Sequence, residues 1–137
     1  GEIAHHEPAV DADVDELFYR EWVRALLERS VADLRQAAQA SGRPVMFEVF
    51  AQYDLTGESD TRPTYAEIAR ALGLTPATVT NHLAAMRRQF RAIVLERLRE
   101  LTSSEEEWEA EAAKLLGHPS TRHRVPRDPT ARPGAGR

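Results

Sequence analysis

The chain contains no cysteine. Disulfides and thiolate-ligated zinc are therefore excluded, and a cytoplasmic protein is expected. No apolar run approaches the roughly 18 residues needed to cross a membrane, and no basic-then-apolar segment marks a secretory signal. Glycine is sparse, at 7 of 137 residues, and none of it forms a phosphate-cradling loop. No histidine pair shares a helix face with a nearby glutamate. His5 and His6 are adjacent and would diverge on a helix, whereas a metal site needs three or four convergent ligands. These absences leave no catalytic constellation. The expectation is a non-enzymatic protein without metal or cofactor.

What is present is charge in blocks. The net charge is −4 over 137 residues, which taken whole argues against a nucleic-acid partner. Residues 1–40 carry nine acids against four arginines, and residues 41–61 four acids against one arginine. Residues 62–101 reverse the sign, with seven arginines and three acids. Residues 102–117 are acidic again, and residues 118–137 hold five arginines and one acid. A basic block can hold phosphates on one face while the total stays negative.

Apolar spacing gives the organisation. Residues 1–12 lack periodicity and read as a flexible lead-in. The first residue is Gly1 rather than Met, so the sequence reads as a fragment of a longer protein. Asp13 and Glu16 have capping-box spacing ahead of a long helix over about 14–40. Its inward line is Phe18, Trp22, Ala25 and Leu26, continued by Val31, Leu34 and Ala38, with Arg20, Glu21, Arg24 and Glu28 opposite. SGRP at 41–44 breaks it. A short helix over about 45–53 carries Met46, Phe47, Val49, Phe50 and Tyr53, enough for burial on more than one side. Residues 54–63 are a loop by composition, and its hydroxyls Ser59 and Thr61 read as solvated rather than as modification sites.

The stretch over 64–90, TYAEIARALGLTPATVTNHLAAMRRQF, organises the rest. Thr64 and Glu67 form a capping box. Gly73 ends the first helix, because glycine enters the left-handed region without steric cost. Thr75 caps the second helix and Pro76 takes its first position. Val79, Leu83, Met86 and Phe90 make the inward stripe. This is the pattern of a helix-turn-helix, whose second helix lies in the DNA major groove. The same periodicity runs on through Ile93, Val94, Leu98 and Leu101. Ser104 and Glu107 cap a last, acidic helix with Trp108, Ala112, Leu115 and Leu116 on its apolar face. Residues 118–137 are Arg/Pro-rich and read as a disordered tail. The expected fold is all-α: a small helical bundle over 13–117 containing a helix-turn-helix with a long recognition helix.

The candidate DNA-binding residues are those left outward, or partly outward, on that helix: Thr78, Thr80, Asn81, His82, Ala84 and Ala85, followed by Arg87, Arg88 and Arg91. Asparagine can pair bidentately with adenine, and threonine and alanine suit a thymine methyl. Arginine suits phosphate or guanine.

At 64–90 the sequence resembles region 4 of the bacterial sigma-70 family, in its extracytoplasmic-function branch. The matching residues are Tyr65, Glu67, Ile68, Ala69, Leu72, Gly73, Thr78, Val79, Leu83, Arg87 and Arg91. The helix FYREWVRALLERSVADLRQ before it and the coda RLRELTSSEEEWEAEAAKLLG after it extend the likeness to about 14–117. The resemblance implies binding of double-stranded promoter DNA at the −35 element. It also implies contact with the β flap of the RNA polymerase core, an anti-sigma or other regulatory protein as a further partner, and an upstream domain for the −10 element. The branch commonly has basic residues where this chain has Thr80, His82 and Ala85. Positive charge must then come from Arg87 and Arg88, and weak binding by the isolated chain is expected.

Two other readings share the scaffold. Thr78-Val79-Thr80-Asn81-His82-Leu83 is close to the helix of a LuxR-type regulator, although such domains are shorter and do not need the long first helix. A protein-interaction module would use the acidic last helix and the Trp22 face, and would leave the helix-turn-helix as scaffold.

Overall fold

The computed structural model describes the backbone of residues 2–57 and 60–117 and the side chains of residues 13–57 and 60–117. Among these residues the regular structure is entirely α-helical: α1 (Glu2–Ala40), α2 (Pro44–Asp54), α3 (Tyr65–Leu72), α4 (Pro76–Leu101) and α5 (Glu105–Leu116). No described helix is long and apolar enough to cross a membrane. The tail read over 118–137, Ser59 and the side chains of His5 and His6 lie outside the described residues. The described residues divide between Val94 and Leu95 into two compact units, and that division falls within the range of α4.

The helix ends follow from local chemistry. α1 ends at Ala40, where Gly42 takes a φ of 77° and the Arg43 N–H returns to the Ala38 carbonyl at 2.9 Å. This is the turn that glycine permits and that satisfies the last carbonyls of a helix. Pro44 then opens α2 at a position where its missing N–H costs nothing. α3 has the expected capping box. The Glu67 N–H donates to Thr64 Oγ1 at 3.1 Å, and the Thr64 N–H donates to the Glu67 carboxylate at 2.9 Å.

α1 starts earlier than its apolar pattern suggests. It is helical from Glu2, across the segment read as a lead-in. Residues 2–12 have little periodicity and include Pro8, which lacks a helical N–H, while Glu2, Ala4, Glu7, Ala9 and Ala12 favour helix. Asp13 and Glu16 therefore sit within a helix rather than at its start, where no orphan N–H groups await a cap.

In the first unit, one core joins four helices. Leu34 and Ala38 of α1 meet Met46, Phe47, Val49 and Phe50 of α2, Ile68 and Ala69 of α3, and Val79, Leu83 and Met86 of α4. Phe50 joins α2 to α4, with its ring 5.6 Å from that of Phe90, and it also lies 6.1 Å from the ring of Phe47 on its own helix. Burial on α2 covers more than one side, as its density of apolar residues implies. Ser30 is fully buried on α1, and its hydroxyl is satisfied by donating to the Leu26 carbonyl at 2.9 Å.

The inward line of α1 differs from the expected one. Leu26, Ser30, Leu34 and Ala38 are buried, but Trp22 is half-buried and Phe18 is 69% exposed. A residue every four positions drifts by about 40° per step, because the helix turns every 3.6 residues. Phe18 is twenty residues from Ala38 and lies about 200° around the helix from it. Rotation alone does not expose it, because Val14 and Leu17 point elsewhere and are 40% and 61% exposed, so no described helix covers α1 over residues 13–18.

In the second unit, α5 folds back on the last turns of α4. The Trp108 indole N–H donates to the Leu95 carbonyl at 2.9 Å. The Arg99 guanidinium lies 4.0 Å from the centre of the Trp108 ring and pairs with Glu105 at 2.9 Å. Ser104 caps α5 by accepting the Glu107 N–H at 3.0 Å. The reciprocal bond is displaced by one residue from a standard capping box. The Glu107 carboxylate accepts the N–H and the hydroxyl of Ser103, each at 2.8 Å, instead of the Ser104 N–H. Leu98 is fully buried, whereas Leu101, expected on the inward pattern, is 54% exposed.

Candidate nucleic-acid interface

α3 and α4 are joined by a three-residue turn whose geometry comes from Gly73. Its φ is 73°, and the Leu74 N–H donates to the Ala69 carbonyl at 2.8 Å. Leu74 packs against the core from inside the turn. Thr75 opens α4 by accepting the Thr78 N–H on Oγ1 at 3.1 Å, and the Val79 N–H donates to the Thr75 carbonyl at 3.0 Å. The helix then runs for 26 residues to Leu101, about 39 Å at the usual rise.

The buried stripe of α4 sets its outer face. Val79, Leu83 and Met86 are almost fully covered, and Phe90 is half-buried beside them. Ala77, Asn81, Ala84 and Arg88 are exposed and fall within about 60° of one another at 100° per residue. They form the line most directly opposed to the core. Thr80 and Arg87 are also exposed, but they lie toward one edge. Thr78, His82 and Arg91 are half-buried. Ala85 packs against the core cluster and is only partly accessible.

The hydroxyls on this face are already engaged. Thr75 Oγ1 donates to Thr78 Oγ1 at 2.9 Å, so Thr78 keeps its own proton for a further acceptor. Thr80 donates to the Pro76 carbonyl at 3.1 Å, so it keeps only acceptor capacity. The side chains of Asn81 and Arg88 make no hydrogen bond or ion pair among the described residues.

Arg87 and Arg88 are neighbours in sequence with different surroundings. The Arg87 guanidinium donates from Nε and one terminal nitrogen to the two carboxylate oxygens of Asp54, at 2.7 and 2.8 Å. The hydrogen bond to Asp54 holds the Arg87 proton more tightly than usual, against the opposing effect of burial. Around this pair stands a cluster that sequence reasoning missed. The Tyr53 ring lies 4.7 Å from the Arg62 guanidinium and 5.9 Å from that of Arg87, and it packs edge-on against Tyr65 at 4.8 Å. Asp54 and Arg87 are 33 positions apart, so spacing alone carries no sign of their meeting. A weak signal exists in Asp54 itself, an acid at a helix C-terminus, where the macrodipole favours a cation.

Among the described residues, no group of three or more His, Asp or Glu side chains is placed to hold a metal ion. Chemically, the α4 face can donate to and accept from base edges through Asn81 and Thr78 and can place the Arg88 charge against a phosphate. Comparison with known proteins finds no matching family model, no matching curated protein and no matching solved structure.

Proposed function

We propose that α3 and α4 form a helix-turn-helix that binds double-stranded promoter DNA at the −35 element. In this reading the chain acts in the cytoplasm as the region 4 part of a sigma factor, together with the RNA polymerase core through its β flap and under the control of a regulatory protein such as an anti-sigma factor. One observation carries the DNA reading. Asn81 and Arg88 stand on the outer line of a well-capped helix with their side chains uncommitted. Asn81 is suited to adenine, Arg88 to a phosphate or guanine, and Ala84 to a thymine methyl. The basic balance of residues 62–101 suits an anionic partner, and Arg88 brings one of those charges to this face. The family assignment within this reading rests on the sequence resemblance over about 14–117.

The test is selection from a randomised DNA duplex pool, with and without core RNA polymerase. Enrichment of one sequence in the presence of polymerase supports the reading. Asn81→Ala should then relax preference at one or two positions, by about 1–3 kcal/mol for a bidentate contact. Arg88→Ala should weaken all sequences evenly. Enrichment of a palindrome without polymerase would favour a LuxR-type regulator. The absence of any salt-dependent retention of DNA would overturn DNA binding altogether.

A further inference from the structure

The α2 helix ends on Asp54, and no basic residue lies in its last turn. A carboxylate at that end faces the negative pole of the helix, so its position is unfavourable unless a cation is brought to it. Arg87 supplies the cation from α4. The pairing uses the guanidinium fork on both carboxylate oxygens, the geometry with which arginine also grips a phosphate. The Asp54 side chain is 23% exposed and that of Arg87 49% exposed, so the pair stands at the surface within reach of an anionic ligand. Arg88, one position on, is exposed and uncommitted.

We propose that Asp54 is a built-in competitor for the DNA backbone. It occupies the Arg87 guanidinium as a phosphate would, making Arg87 a positioning residue that fixes α4 on the end of α2, and it leaves Arg88 as the phosphate contact. This inference rests on the DNA-binding reading and adds a restraint to it. A phosphate must displace a bidentate carboxylate before it can use Arg87, so the helix presents less positive charge than its sequence carries. The flanking Tyr53 ring helps to hold Arg87 in place, since it lies 5.9 Å from the guanidinium and attracts cations to its face.

The experiment measures binding of the full chain to a short mixed-sequence DNA duplex as a function of salt. One added phosphate contact steepens the log–log slope by roughly 0.9, equivalent to roughly three- to fourfold more affinity lost between about 50 and 200 mM salt. Asp54→Asn should tighten binding at low salt and steepen the slope by about one contact. Adding Arg87→Gln to Asp54→Asn should cancel that gain. In the wild-type background, Arg88→Gln should lower the slope by about one contact, and Arg87→Gln by much less. Helix content is followed by circular dichroism. If Asp54→Asn loses its helices, the comparison of Arg87→Gln with Arg88→Gln decides, because neither variant depends on it. The proposal is overturned if Asp54→Asn keeps its helices and its slope is unchanged or shallower, or if Arg87→Gln lowers the slope as much as Arg88→Gln. A loss of binding on Arg88→Gln with no gain on Asp54→Asn would sink this inference and spare the DNA reading. The absence of salt-dependent binding by both the wild type and Asp54→Asn would sink both.

Discussion

The indole N–H of Trp108 and the carbonyl of Leu95 meet at 2.9 Å, which ties the acidic helix α5 to the last turns of α4. That carbonyl already closes a helical turn, and its second lone pair accepts the indole. Arg99 covers the ring at 4.0 Å and pairs with Glu105 at the start of α5. Trp108→Phe keeps an aromatic face for Arg99 but removes the donor. It should cost about 0.5–1.5 kcal/mol, the usual net value of one hydrogen bond, and loosen α5 before the helices of the first unit. Amide hydrogen exchange measured segment by segment checks this. Equal acceleration in α2 and α5 would contradict it.

Leu83 is 1% exposed and lies in the core cluster with Ile68, Val79 and Met86. Leu83→Ala should destabilise the first unit by about 2–5 kcal/mol, through lost transfer free energy and the cavity left behind. Urea denaturation monitored by circular dichroism measures it. A cost below that of an ordinary surface substitution would place α4 differently on α3.

Gly73 turns the chain between α3 and α4 at a φ of 73°, and a Cβ added there would meet no atom within 4 Å. The cost of Gly73→Ala is therefore conformational rather than steric crowding by neighbours, and should be about 1–2 kcal/mol. Gly73→Asn should cost less, because asparagine tolerates the left-handed region better than alanine. Thermal denaturation of both variants would show that order, and a reversed order would contradict the backbone explanation.

The N-terminus of α5 should respond to acid. The Ser103 backbone N–H, and then its hydroxyl, hold the Glu107 carboxyl below its ordinary value. A carboxyl with a depressed pKa in the folded state contributes stability above its unfolded pKa. That contribution falls as the pH drops through the ordinary glutamate range toward the lower folded value. The start of α5 should therefore fray on acidification, and Glu107→Gln should remove this pH dependence. Nuclear magnetic resonance of the Ser103 amide across acidic pH gives the readout, and a signal that titrates identically in Glu107→Gln would refute the assignment.

Much of the fold was legible residue by residue. Thr64 with Glu67, Gly73, Thr75 with Pro76, the SGRP break and Ser104 each act through bonds to residues a few positions away. Their effect is encoded where they stand. The same holds for the stripe Val79, Leu83, Met86, since four- and three-residue steps place those side chains on one face whatever covers them. The start of α1 was less legible, because helix propensity without amphipathic spacing leaves no apolar pattern to read.

The candidate site was legible only as a set of residue types on one helix. Asn81 and Arg88 are on the outer face by spacing alone, given the buried stripe. The division of labour between Arg87 and Arg88 is not local, because Asp54 reaches Arg87 only when α2 and α4 pack on a shared core of Phe50, Met86 and their neighbours. Phe18 shows the same limit from the other side: its apolar character suits a core, yet α1 is exposed on every side over residues 13–18. Short-range hydrogen bonds and periodicity belong to the chain itself. Which charges are neutralised and which apolar groups stay exposed depend on what folding brings alongside them, because Coulomb and hydrophobic terms act through space rather than along the backbone.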